Sequence, residues 1–193
     1  RVVGRDLHLG YCAPRSNRIE SIEHCPQLDP ALEACLPILR STLGPGLRRK
    51  GQIALLLAED GRVHVALEGT CRWPAVDKLA KHPRIAGVVY QGKAKGQRRV
   101  PLEGGLRGSA RFFAQASRAG NVALRECVQR MLGELAGRSV LELYAGSGNF
   151  TTLLDAAERV VAVESAGRPP GLDGVDWRVG LAEKVSADLA AKD

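Results

Sequence analysis

The sequence predicts a parallel α/β domain in its second half, behind a smaller α+β domain. Three observations carry this. Residues 139–164 read as strand, glycine-bearing loop, helix and strand, the order of a βαβ unit, which makes a parallel sheet with a right-handed crossover. Ahead of them, hairpin and helix signals are mixed, as in α+β folds. Between the two, at Leu102–Gly108, glycine density and a shift in charge coincide. We therefore place the domains at 1–108 and 109–193.

In the first domain, residues 1–11 and 17–22 read as short strands split by Ala13-Pro14-Arg15-Ser16. From Leu28 to Leu43, apolar residues at 28, 32, 35, 36, 39 and 43 keep helical spacing, and Pro37 should kink or restart that helix. Gln52–Ala58 and Arg62–Leu67 are apolar runs joined by Glu59-Asp60-Gly61, a hairpin turn of the Asp-Gly type. Trp73–Lys81 predicts a short helix ahead of His82-Pro83, and Ile85–Tyr90 a strand. Gln91–Arg99 is a basic loop with four Lys/Arg and no carboxylate. It reads either as a solvated hairpin tip or as a finger that contacts phosphates.

In the second domain, Leu124, Cys127, Val128, Met131, Leu132 and Leu135 recur at the spacing of an amphipathic helix. Ser117 is its expected N-cap and Gly137 its C-terminal stop. The stripe places Cys127 and Met131 in the core. Ser139–Leu143 predicts a buried strand, Asn149–Ala157 a helix, and Val160–Val163 and Val175–Val179 two more buried strands. Only Glu164–Gly174 separates the last two, with Pro169-Pro170 set against a helix. A parallel crossover needs about a dozen residues or more. We therefore expect residues to be missing between Ser165 and Ala166, with a Cα separation far above about 3.8 Å.

Composition narrows the function classes. With 193 residues, 45% hydrophobic and 25% charged, the chain is globular, which excludes collagen-like, coiled-coil and disordered classes. No apolar run nears the roughly 20 residues of a membrane helix, and the start has no signal-peptide pattern. Five cysteines in no disulfide-like framework fit a reducing compartment. The expectation is a cytoplasmic monomer with no membrane partner. Residues 1–110 hold 18 Lys+Arg against 10 Asp+Glu, whereas 111–193 hold 10 against 11. The net charge of +7 thus belongs to the first half. That asymmetry points to a nucleic-acid partner for that half, or else to a solvated basic surface.

The chemistry-bearing stretch is VLELYAGSGNFT, residues 140–151, followed by VVAVE, residues 160–164. Gly146 and Gly148 let the backbone turn tightly at the carboxyl end of a strand, where ligands bind in such sheets. Glu164 ends the next strand, where a carboxylate can accept hydrogen bonds from two ribose hydroxyls. The third glycine of a GxGxxG dinucleotide fingerprint is replaced by Thr151, which argues against a pyrophosphate and so against NAD and an oxidoreductase. Glu142, just ahead of the loop, also suits a cationic ligand. S-adenosylmethionine carries a sulfonium and an ammonium group. The plainer alternative is a glycine turn that binds nothing.

Two further segments, FFAQASRAGN (112–121) and RIESIEHCPQLDPAL (18–32), stand ahead of LELYAGSGNFT. Together the three resemble the S-adenosylmethionine-dependent RNA uracil-5-methyltransferases, which make 5-methyluridine in ribosomal and transfer RNA. The resemblance spans about residues 4 to 165. It implies a class I methyltransferase domain, Rossmann-like and doubly wound, incomplete at its C-terminus and preceded by an RNA-contacting central domain. It also implies S-adenosyl-L-methionine as cofactor and RNA (rRNA or tRNA) as partner, with the target base drawn from its stack. Residue by residue, it puts Gln115, Tyr144, Gly146, Gly148, Asn149 and Glu164 at the cofactor and Phe113 beside the substrate base. Without it, Phe112 and Phe113 read as core aromatics.

Cys25, in His24-Cys25-Pro26, resembles the last ligand of the 4Fe-4S cluster found in many family members. The other three ligands normally precede it, and Cys12 and Cys35 offer no C-x-x-C spacing to replace them. A cluster then requires a chain extended upstream; otherwise Cys25 is a buried thiol and His24 a surface or capping histidine. The family adds a cysteine thiolate to uracil C6 so that C5 becomes nucleophilic, and a carboxylate base later removes the C5 proton. Its Asp-Pro-x-Arg and Ser-Cys-Asn-Pro segments and its late glutamate do not occur here, and Cys71 and Cys127 stand in other contexts. No catalytic residue is therefore expected in this chain, the nucleophile and base lying beyond residue 193. Two rival readings are a non-catalytic RNA-binding protein with a vestigial methyltransferase fold and, favoured only by the glycine loop and Glu164, an NAD-dependent oxidoreductase.

Overall fold

A computed structural model describes residues 8–47, 50–102, 105–115, 117–169 and 171–190. The chain divides into two compact units, Arg1–Leu102 with Ser109–Arg111, and Glu103–Gly108 with Phe112–Asp193. Both mix helices and sheets.

In the first unit, β1 (Gly10–Cys12) pairs antiparallel with β2 (Ile19–Ser21). Residues 1–7 of the strand expected at 1–11 lie outside the described residues. The helix expected from Leu28 to Leu43 is two: α1 (Pro30–Glu33) and α2 (Leu36–Leu43). Asp29 caps α1 by accepting the Ala31 N–H. Pro37 restarts the chain in the first turn of α2, where its missing N–H leaves no hydrogen bond unmade.

The hairpin follows as β3 (Gln52–Leu57) and β4 (Val63–Glu68), then α3 (Trp73–Ala80), β5 (Ile85–Tyr90) and β6 (Lys93–Gly96). The sheet runs β3-β4-β5-β6, with β4 and β5 parallel through α3 and the other pairs antiparallel. Leu36, Leu39 and Leu43 of α2 and Val76 and Leu79 of α3 pack with Val63, Val65 and Val88 of the sheet to form the core. A second cluster gathers Ala58, Ala86 and Val100 with Leu56 and Leu102. His64 is wholly buried, and its Nδ1 accepts the Ala110 N–H at 3.1 Å. The basic segment 91–99 is more ordered than a loop: Gln91 (φ 49°) and Gly92 (φ 74°) make a turn into β6.

In the second unit, α4 (Arg118–Leu132) starts at Ser117, whose Oγ accepts the Gly120 N–H at 3.1 Å. It ends at Gly133 (φ 63°), before the expected stop at Gly137. Then come β7 (Ser139–Leu143), β8 (Arg159–Glu164), β9 (Asp176–Val179) and α5 (Ala182–Ala190). The sheet is parallel, ordered β9-β8-β7, with Val161 opposite Leu141 on one side and Asp176 on the other.

Four expectations are corrected here. Cys127 and Met131 are exposed, Met131 by 81%, and no residue of α4 is buried. An apolar stripe reaches a core only where another element covers it, and of the residues of α4 Leu132 alone packs against a buried cluster, that of Leu135, Leu154 and Val160. The strands expected at 139–143 and 175–179 are not buried either: Leu141, Leu143 and Val179 are exposed, because burial of a strand's side chains needs an element covering that face of the sheet. The helix expected at 149–157 is a single 3-10 turn, Thr151–Leu153, because Gly148 (φ 87°) holds a left-handed conformation just ahead of it and the carbonyls bond three residues on.

The fourth correction concerns Ser165–Ala166. The chain is continuous there, and the Ala166 N–H donates to Glu164 Oε1 at 2.8 Å. The crossover to β9 has no helix among its described residues. It turns on Gly167 (φ 117°), Gly171 (φ 79°) and Gly174 (φ 87°), conformations that only glycine takes at low cost.

Two substitutions separate core from surface. Leu39→Ala should lose about 2–5 kcal/mol in urea unfolding, since Leu39 is wholly buried. Met131→Ala should change stability by no more than about 0.5 kcal/mol. A large loss at Met131 would return it to the core.

Candidate functional site

The site grows from the end of β7. Tyr144 (φ 58°), Gly146 (φ 62°) and Gly148 (φ 87°) are all left-handed, so the chain reverses within five residues. The Ala145 N–H still bonds Val163 O at 3.0 Å, and the Gly148 N–H closes the turn on Ala145 O at 2.9 Å. The turn therefore sits at the carboxyl ends of β7 and β8 together.

Glu164 ends β8 at the same edge. Its Oε2 accepts the Gly146 N–H at 2.9 Å, and its Oε1 accepts the Ala166 N–H at 2.8 Å and the Ser165 hydroxyl at 3.2 Å. Partial burial would raise this carboxyl, but the bonds from Ala166, Gly146 and Ser165 outweigh it and hold the group below its ordinary value. A carboxylate offers about four lone-pair positions. Three are taken, and Oε2 keeps one for an incoming hydroxyl.

Beneath the turn, Glu142 of β7 accepts the Thr151 hydroxyl at 2.6 Å. Burial pushes its carboxyl up, and the Thr151 bond offsets part of that. Thr151, which stands where a dinucleotide fingerprint has its third glycine, thus ties the loop to the strand.

The neighbouring segments are fastened by polar contacts. Asn149 and Asn121 exchange side-chain amide bonds at 3.1 and 2.7 Å. Arg125 of α4 donates to Asn149 O and, at 2.9 Å, to Thr152 Oγ1. Ser147 Oγ donates to Phe113 O at 3.2 Å, bringing 112–115 beside the turn. The Tyr144 hydroxyl donates to Glu183 Oε1 of α5 at 2.6 Å.

The two glycines differ in what they leave open. A Cβ on Gly146 would lie 4.0 Å from Phe113 O and Tyr144 O, whereas one on Gly148 would meet Leu172 Cδ1 at 2.4 Å. The Gly146 side is open and the Gly148 side is packed.

Of the residues singled out in the sequence, Tyr144, Gly146, Gly148, Asn149 and Glu164 lie on or against this turn. Phe113 and Tyr144 are exposed, by 72% and 70%. Gln115 is exposed as well, with no hydrogen bond among the described residues, although its segment is held at the turn through Phe113. Sequence reasoning passed over Asn121, Arg125, Ser147, Leu172 and Glu183. Ser147 and Asn121 lay inside quoted segments; Arg125, Leu172 and Glu183 come from separate elements and carry no local signal.

Cys25 belongs to the first unit. It is half-buried, its N–H donates to Glu33 Oε1 at 2.8 Å, and His24 Nδ1 pairs with the same oxygen. Burial, then the neighbouring Cys25, raises the Tyr11 hydroxyl. Among the described residues no three His, Cys, Asp or Glu side chains are grouped to hold a metal, so they do not supply the ligands of a 4Fe-4S cluster. Nor is any of their helices long and apolar enough to cross a membrane.

No protein-family profile matches the chain. It is similar to curated bacterial proteins named 23S rRNA (uracil(1939)-C(5))-methyltransferase RlmD. That of Salmonella typhi is 32% identical over 178 residues, 83% of this chain and 40% of that protein. That of Klebsiella pneumoniae subsp. pneumoniae is 30% identical over 175 residues, with the same coverage, and that of Cronobacter sakazakii 33% over 173 residues, 82% of this chain and 40% of that protein. The chain thus spans about 40% of the length of the curated relatives it matches.

The lowered Glu164 carboxyl has a testable consequence. Its contribution to stability is complete above the ordinary glutamate value of about 4.3 and fades as pH falls through the lower folded value. In Glu164→Gln the loss of stability on acidification should be shallower, read by denaturant unfolding between about pH 3 and pH 6. Identical acid profiles would show that Glu164 is not held by these bonds.

Proposed function

Over the stretch it shares with these relatives the chain belongs to the RNA uracil-5-methyltransferases, and on that premise we propose that it forms the central and cofactor-binding parts of an enzyme that methylates uridine C5 in RNA. The names of the relatives favour ribosomal RNA as the substrate class. In this reading residues 1–108 help hold RNA, and residues 109–193 are the first part of a doubly wound methyltransferase domain. The protein acts as a monomer in the cytoplasm.

S-adenosylmethionine supplies, when bound, a methyl group made electrophilic by its sulfonium. The donor set at the turn suits it. Glu164 keeps an acceptor position for a ribose hydroxyl, and a second hydroxyl can replace the long bond from Ser165. Gly146 leaves open space where a side chain would stand. Glu142, Glu164 and Glu183 place negative charge at this edge, which favours a cation over a pyrophosphate. Tyr144, Gln115 and Asn149 complete the proposed binding set, with Phe113 presented toward the substrate base.

Uracil C5 is a weak nucleophile until a thiolate adds to C6, and the adduct collapses only when a base takes the C5 proton. None of the residues bonded to the turn is a cysteine. Cys127 is exposed on α4, and Cys71 is buried in the first unit, with its thiol pushed up by burial. We therefore assign the thiolate and the base to the part of the enzyme that these 193 residues do not span.

The observation that carries this reading is the Glu164 carboxylate fastened to the Gly146 turn. Calorimetric titration tests it. S-adenosylhomocysteine should bind and NAD should not, and Glu164→Ala should weaken S-adenosylhomocysteine by about tenfold or more, roughly 1.4 kcal/mol. Binding of NAD in preference to S-adenosylhomocysteine would contradict the proposal.

A further inference from the structure

β6 is the outer strand of the first unit's sheet and, among the described residues, bonds only to β5. Lys93 and Lys95 are two residues apart on it and so share one face. Their Nζ atoms stand 5.8 and 5.9 Å from the centroid of the Trp73 ring at the start of α3. That ring is itself held edge-on by Tyr90, with centroids 5.0 Å apart. Lys95 also pairs with Asp77 at 3.0 Å, while Lys93 has no carboxylate partner among the described residues. Arg98 and Arg99 follow after Gly96 and Gln97, and burial and then Arg98 lower the Arg99 guanidinium.

Lysines on an edge strand deter other strands from pairing with it. That role needs charge alone. It does not need two ammonium groups drawn over one indole, which costs them side-chain freedom and sets like charges side by side. A ring beneath two cations holds them ready for a polyanion, so that less entropy is lost when each meets a phosphate.

We propose that the outer face of β6, with Lys93 and Lys95 held over Trp73, is a docking surface for the phosphate backbone of RNA. The inference rests on the RNA part of the function proposed above and places that contact on named residues. The contact is independent of sequence. It positions the RNA and leaves the choice of uridine to other parts of the enzyme.

The test is fluorescence anisotropy of a fluorescein-labelled single-stranded RNA against the full 193-residue chain, with no methyl donor, over a range of KCl concentrations. Lys93→Ala with Lys95→Ala should weaken binding about tenfold at moderate salt. It should also reduce the slope of log affinity against log salt by about 1.4, that is about 0.7 for each single-strand phosphate that the pair no longer neutralises. Lys93→Arg with Lys95→Arg should keep most of the affinity. Unchanged affinity and slope in the alanine pair would overturn the proposal. So would an equal loss from Arg130→Ala with Arg138→Ala in the second unit, or loss of binding to phosphatidylserine vesicles with RNA binding intact. Calorimetry with S-adenosylhomocysteine on the same alanine pair keeps the two proposals apart, because its outcome depends on Glu164 and not on β6.

Discussion

The hydrogen bond from the Gly146 amide to the Glu164 carboxylate is the constraint on which the second unit is arranged. It joins the turn after β7 to the end of β8, and those strands are already parallel neighbours. With the turn anchored, Ser147 can hold the 112–115 segment, Asn149 can meet Asn121 and Arg125 of α4, and Tyr144 can reach Glu183 of α5. Four separate pieces of chain thereby converge on one edge of a three-stranded sheet. Each contact is polar and individually modest, about 0.5–1.5 kcal/mol net for a neutral pair. Their effect is geometric: they decide which atoms this edge presents.

Charge decides what ligand the proposed site can take. A pyrophosphate-binding turn gathers unpaired amides and keeps carboxylates away. Here the Gly146 amide is already given to Glu164, and a second carboxyl, Glu142, lies beneath the loop bonded to Thr151. A side chain at 151 precludes the close helix–strand packing that the third glycine of a dinucleotide site permits. In its place, the threonine hydroxyl partners a half-buried carboxyl that would otherwise be costly. The missing glycine and the extra glutamate are thus two sides of one arrangement.

Much of the fold was legible where the signal is local. The Asp-Gly turn, the capping Ser117, the run from Ile85 to Tyr90 and the restart at Pro37 all act within a few residues, and the structure places each as expected. The failures have a common cause. Met131, Cys127, Leu141 and Leu143 carry the right periodicity, yet burial depends on a covering surface elsewhere. Periodicity reports which face of an element is apolar, not whether anything packs on it. The helix expected after Asn149 failed for a different reason, since Gly148 is held left-handed by the turn and Thr151 and Thr152 are drawn into side-chain bonds. At the site, the motif residues could be found because they are contiguous. Arg125 and Glu183 could not, because their roles exist only once α4 and α5 reach the turn. Among the described residues β7 pairs on one side only, and the stripe of α4 stays exposed.

The central claim is that the Gly146–Glu164 turn receives a sulfonium nucleoside. It is most directly tested by following the backbone amide of Gly146 by nuclear magnetic resonance during addition of S-adenosylhomocysteine. The account predicts that this amide is among the most strongly shifted signals and that NAD leaves it in place. A Gly146 signal that stays fixed while amides elsewhere move would put the ligand somewhere other than this turn.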